Sequence, residues 1–156
     1  MQRTRFTAMD CPITRSLDRV GEWWSILILR DALGGMTRFE EFQKSLKIAP
    51  NMLTRRLNAL VEAGFLARRR YSERPPRHDY RLTDKGRDLW PVLTTMRQWG
   101  DKHAAPDGPP LELIHGACGE RSQAVLTCSA CGERVGARDV KAIPGPGAVE
   151  RLIRTA

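Results

Sequence analysis

A chain of 156 residues, 41% hydrophobic and 28% charged, has apolar material for one ordinary core or a smaller domain with an appendage, without need of disulfides or metal. No apolar run is long enough to cross a bilayer, and the opening MQRTRFTAMDCP lacks the features of a secretory leader, so a cytoplasmic protein with no membrane partner is expected. The net charge of +8 belongs to the first part: residues 1–102 hold 20 Lys/Arg against 12 Asp/Glu, and residues 103–156 hold 6 against 6.

Residues 51–87 concentrate that charge, with 10 basic and 4 acidic side chains. Such clustering is the footprint of a phosphate-binding surface, or of a plain solvated face, until a fold decides between them. Residues 13–34 read as a short helix, a break at Gly21, then a densely apolar helix. Trp23, Trp24, Ile26, Leu27, Ile28 and Leu29 leave it almost no polar face and predict that it is central and buried. Gly34-Gly35 ends it. In MTRFEEFQKSL, Phe39, Phe42 and Leu46 form the stripe of a short amphipathic helix.

APNMLTRRLNALVEAG follows, with Pro50 in a first helical turn, where its missing N–H costs nothing. Leu53, Leu57, Leu60 and Val61 point inward, Gly64 supplies the stop, and Asn51, Thr54, Arg55 and Asn58 occupy the opposite face. Two helices with a tight connection, the second bearing polar and arginine side chains on its outer N-terminal face, match a helix-turn-helix.

Strands are predicted over 65–72 and 77–82, with Tyr80 and Leu82 on one face. Between them Glu73-Arg74-Pro75-Pro76 is expected to form an extended tip outside the ladder. Arg68, Arg69, Arg70, Arg74, Arg77 and Arg81 make this hairpin a wing, since the planar arginine fork engages phosphate and its head enters an A·T-rich minor groove. Alternation allows at most two of Arg68, Arg69 and Arg70 to share a DNA-facing side. Thr83 caps a long helix to about residue 102, striped by Leu89, Val92, Leu93 and Met96, in which Pro91 predicts a kink. The linker HAAPDGPP covers 103–110, a final piece covers 111–143, and a tail covers 144–156. The chain reads as free of internal repeats.

CPITRSLDRVGEWWSILILRDAL, MTRFEEFQKSL, IAPNMLTRRLNALVEAGFL, ERPPRHDYRLTDKG and the Leu-Trp-Pro-Val-Leu run occur in a recognisable order over roughly residues 10–101. In these residues the chain resembles the HxlR-type winged-helix transcriptional regulators, relatives of the MarR group. The fold class so implied is mainly α with a β-hairpin wing over 1–102, to which the final piece adds a small zinc-ribbon-like β appendage. The resemblance implies a homodimer on a palindromic operator in double-stranded DNA, acting as repressor or activator. Its interface would use the N-terminal segment and the long helix, so that Leu89, Val92, Leu93, Met96 and Trp99 are partly interface. Carried over by position, Asn51, Thr54 and Arg55 face the major groove, where base edges are read. Arg38 and Arg56 meet phosphates, and Arg69, Arg74 and Arg77 serve the wing. Cys11 stands where some relatives carry a thiol sensor, so it is either an oxidant-sensing residue or an inert thiol.

The last third requires its own reading. His115-x-x-Cys118-Gly119 and Cys128-x-x-Cys131-Gly132 supply three thiols and an imidazole, the donor set of a structural zinc site. Four protein ligands leave no open position for chemistry, and QAVLT is expected to be a strand between the two turns. The nine-residue gap from Cys118 to Cys128 is shorter than common ribbon spacing, so a metal-free ribbon or a redox pair of cysteines remains open. The neutral charge of this piece points to dimer contacts or the shaping of an effector pocket, the effector being a small molecule or an oxidant. An enzyme is not expected, because His78, His103 and His115 lack a nucleophile or carboxylate at a recognisable spacing. The alternatives kept are a redox- or metal-responsive regulator of the same fold, and a winged helix that binds protein.

Overall fold

The computed structural model describes residues 11–146. Two prolines mark where helices begin, since a first-turn N–H has no partner to lose. Pro12 opens α1 (Pro12–Val20) and Pro50 opens α4 (Pro50–Glu62). Gly21 closes α1, where any Cβ would collide with the Leu17 carbonyl, and α2 (Trp23–Leu33) follows immediately. α3 (Phe39–Leu46) is opened by Glu41, whose carboxylate accepts from the backbone N–H of Thr37 and Arg38 at 2.8 Å each. Lys47 turns left-handed (φ 50°) and Ile48 is buried, so only three residues separate α3 from α4.

The core lies among these helices. Ile28 and Leu29 of α2, Phe42 of α3, and Leu53, Leu57 and Leu60 of α4 are fully buried, as is Leu66. Each such side chain contributes about 1.5–3 kcal/mol relative to leaving it exposed. The α2 helix is central, but it is not buried all round as its composition predicts. Trp23, in its first turn, is 77% exposed, whereas the polar Ser25 and Asp31 are buried. Gly64, at φ 74°, turns the chain out of α4 into β1 (Leu66–Glu73).

β1 pairs antiparallel with β2 (Pro76–Leu82), Leu66 opposite Leu82 and Glu73 opposite Pro76. The turn is therefore only Arg74-Pro75; Pro76, expected outside the ladder, is the first residue of β2, a place where a missing N–H is tolerated. A bulge falls between Arg70 and Ser72. Residues 37–38 add a short third edge: Arg38 bridges Asp79, and the N–H of Tyr80 donates to the Thr37 carbonyl at 2.7 Å. Beyond the sheet, the single kinked helix expected from Thr83 onward is two helices. Thr83 caps α5 (Asp84–Arg87), and α6 (Trp90–His103) starts afresh with Pro91 in its first turn, where proline costs nothing. Leu89 and Leu93 pack on the core, while Val92 and Met96 are more than half exposed.

The chain forms two compact units, divided after Thr94 within α6. In the second, the side-chain amide of Gln98 behaves like a strand edge: Nε2 donates to the Ala124 carbonyl at 3.0 Å and Oε1 accepts from its N–H at 2.8 Å. Arg97 donates to the Leu111 carbonyl at 2.6 Å. β3 (Leu113–Ile114) pairs with β4 (Arg121–Ser122), and Thr127 bridges Arg134. The strand expected over QAVLT is limited to that one bridge at Thr127, and at Ala124 the backbone is bonded by Gln98 instead. Of the expected tail over 144–156, residues 147–156 lie outside those described, as do residues 1–10 of the expected first domain. No helix among the described residues is long and apolar enough to cross a membrane.

Candidate nucleic-acid interface

The outer side of α4 presents Asn51, Thr54, Arg55 and Asn58 to solvent, opposite its three buried leucines. The Thr54 hydroxyl donates to the Pro50 carbonyl at 2.9 Å and the Asn51 Oδ1 accepts from the Met52 N–H at 2.7 Å. Both bonds steady short polar side chains on the surface of the first turn. Arg56 behaves differently from its neighbour. One residue further round the helix, by about 100°, it turns into the fold and donates to the carboxylate of Glu22 at the start of α2. The Arg56 side chain is only 14% exposed and that of Glu22 25%. The Arg56 guanidinium, expected to face outward, is thus turned away from the solvent-facing side of α4 on which Arg55 stands exposed; a guanidinium so far desolvated needs a carboxylate.

The wing splits its arginines between two faces. Arg68 and Arg70 stand opposite Tyr80 and His78, while Arg69 stands opposite Asp79 on the other face. Arg68 lies 3.1 Å from the His78 Nδ1. Burial, then the charges of Arg68 and Arg70, hold the His78 imidazole below its ordinary range. Arg70 folds back on its own strand, donating to the carbonyls of Ser72 and Glu73. Arg69 and Arg81 both donate to the buried carboxylate of Asp79. Burial pushes Asp79 up, but the hydrogen bonds from Arg81 and Arg69 together outweigh it and hold the carboxyl below its ordinary range. Arg38 is exposed, its guanidinium 5.2 Å from the centre of the Tyr71 ring, and Arg74 and Arg77 are exposed at the wing tip. Three residues that organise this surface were not singled out from the sequence, Glu22, Tyr71 and Asp79, and Arg81 was named only among the arginines of the wing. A lone acidic residue inside an arginine-rich strand was the available signal for Asp79.

Cys11 is the N-cap of α1, half-buried. The backbone N–H groups of Thr14 and then Ile13 hold its thiol below the ordinary range, as expected for a sulfur at a helix start.

The two tail turns share one backbone. In the first, the Gly119 N–H donates to the His115 carbonyl at 2.8 Å and the His115 N–H to the Glu120 carbonyl at 2.9 Å. In the second, Gly132 donates to Cys128 at 2.9 Å and Cys128 to Glu133 at 2.8 Å. Gly119 and Gly132 take φ of 73° and 77°, which other residues rarely adopt. The sequence carries the match as Ala-Cys-Gly-Glu-Arg at 117–121 and again at 130–134, an internal repeat that corrects the reading of the chain as free of repeats. Each turn brings its own two donors together: the His115 Nδ1 is 3.3 Å from the Cys118 sulfur, and Cys128 is hydrogen-bonded to Cys131. The structure does not bring all four together. Among the described residues, no group of three or more His, Cys, Asp or Glu is placed to hold a metal ion. The donor types suit zinc, whereas their placement does not close a site.

A family model described as HxlR-like helix-turn-helix matches residues 19–107. An uncharacterised HTH-type transcriptional regulator of Mycobacterium tuberculosis is 45% identical over 141 residues, covering 90% of this chain and 89% of the relative. Among solved structures, the candidate transcription factor PA1607 is 40% identical with a TM-score of 0.79, over 91% of this chain and all of that one. The redox regulator HypR in its oxidised form is 34% identical with a TM-score of 0.55, over 59% of this chain and 96% of its own.

Proposed function

Because the chain belongs to the HxlR-like helix-turn-helix family and is a DNA-binding transcriptional regulator, we propose that it works as a cytoplasmic homodimer setting two copies of α4 into successive major grooves of a palindromic operator. The observation that carries this reading is the outer face of α4, where Asn51, Thr54 and Arg55 are exposed over a fully buried leucine stripe. Arg38, Arg69, Arg74 and Arg77 serve the phosphates around it. The dimer is supported by exposed apolar side chains: Ile13 on α1, Trp23 on α2, and Trp90, Met96 and Trp99 along α6. Fluorescence anisotropy with short duplex DNA tests the reading. Affinity is expected to fall steeply between about 50 and about 200 mM salt, through release of counterions. A flat response would remove phosphate binding from the account.

A second reading has an observation of its own. Cys11, with its thiol held low at the start of α1, supports an oxidant-sensing regulator, in keeping with the redox regulator HypR among the structural relatives. Diamide should then yield a covalent dimer that Cys11→Ser abolishes.

For the tail, the reading is a structural zinc site, which His115, Cys118, Cys128 and Cys131 would hold through three thiolates and an imidazole. The support is the repeated pentapeptide and the shared backbone of the turns. Elemental analysis decides it: below about half a zinc per chain, with all thiols titrating freely, the site is rejected.

A further inference from the structure

On the hairpin face opposite Leu66, Tyr80 and Leu82, one buried carboxylate stands among arginines. Asp79 is directly across from Arg69, is bridged on its other side to Arg38, and has Arg81 two residues along its own strand. Residues so placed share a face. The Asp79 side chain is 7% exposed, whereas those of Arg69 and Arg81 are 61% and 54% exposed. Its Oδ2 accepts from the Arg69 Nη2 at 3.2 Å and from the Arg81 Nε at 3.0 Å; its Oδ1 is buried and has no hydrogen-bond partner among the described residues. A guanidinium carries five N–H groups, so each arginine gives one to Asp79 and keeps four for an outside acceptor.

By charge alone, an aspartate beneath a DNA-facing surface weakens phosphate binding. What it contributes is order. A free arginine side chain loses much rotamer freedom on meeting a phosphate, and one already held in place loses less. From this juxtaposition we infer that Asp79 is a positioning residue that presets Arg69 and Arg81 as a two-armed clamp for a single backbone phosphate at the base of the wing. The clamp lies away from the tip arginines Arg74 and Arg77 and makes Arg81 a phosphate-binding residue. The inference rests on the DNA-binding reading above and adds a second phosphate site to it.

The experiment uses the full chain and a mixed-sequence duplex of about 30 base pairs, long enough for two half-sites. Asp79→Asn removes a negative charge while keeping the shape. If charge alone governs, it binds DNA more tightly than the wild type; if Asp79 positions the clamp, it binds about five-fold more weakly or worse, and this loss vanishes in an Arg69→Ala/Arg81→Ala background. Arg81→Ala should lower the salt slope by about one. Arg81→Lys keeps the charge on an exposed side chain but loses the Nε bond, so it reports even if Asp79→Asn folds poorly; several-fold weakening is expected. Wild-type binding with Asp79→Asn and Arg81→Lys both equal to it or tighter overturns the clamp alone. Failure of the wild type to bind in a salt-dependent way overturns the DNA reading and the clamp with it.

Discussion

Arg56 on α4 and Glu22 at the start of α2, thirty-four residues apart, form an ion pair that ties α4 to the start of α2. A cation next in sequence to Arg55 therefore acts as a strut. Removing either partner leaves the other half-desolvated without a counter-charge. Arg56→Ala or Glu22→Ala is expected to cost about 1–3 kcal/mol, less than a fully buried pair because both side chains keep some exposure. Urea midpoints measure it, and an unchanged midpoint would return Arg56 to the solvent-facing set.

The adjacent Arg55 should behave in the opposite way. Arg55→Ala is expected to leave stability within about 0.5 kcal/mol while relaxing base preference in sequences selected from a random pool, by about 1–3 kcal/mol at one position. Arg74→Ala at the wing tip should weaken all sequences alike. An identical preference profile for Arg55→Ala and the wild type would remove its base-reading role.

Two carboxylates make stability depend on pH. Asp79 is held low by Arg81 and Arg69 against its burial, and Glu41 by the backbone N–H groups of Thr37 and Arg38. Each binds protons less readily folded than unfolded, so its contribution is present above the ordinary carboxylate range and is lost as pH falls through the folded value. Urea midpoints measured from neutral pH downward should drop across the carboxylate range, and Glu41→Gln should shallow that drop.

Trp23 and Leu29, both in α2, should separate association from folding. Leu29→Ala opens a cavity in the core and is expected to cost about 2–5 kcal/mol in urea unfolding. Trp23→Ala removes an exposed ring, so it should change the monomer's packing little and raise the dimer dissociation constant. Sedimentation across protein concentrations is the readout; a dimer of unaltered strength would move the interface away from α2.

Much of this protein is legible in its sequence by itself. The leucine spacing of α4, Pro50 at its start and Gly64 past its end determine a helix with one apolar side, and therefore which side carries Asn51, Thr54 and Arg55. The strand pattern and clustered arginines determine a wing, and the repeated Ala-Cys-Gly-Glu-Arg could have been read without coordinates as two matching turns. Periodicity states which side of an element is apolar, but not what another element places against it. Only the tertiary structure decides that Trp23 is exposed while Asp31 is buried, that Arg56 meets Glu22, that Asp79 gathers Arg69 and Arg81, and that Gln98 bonds the backbone of Ala124. The physical reason is the same in each case. Partners far apart in the chain meet only once the elements have packed, and a polar side chain then bonds whichever group packing has brought beside it.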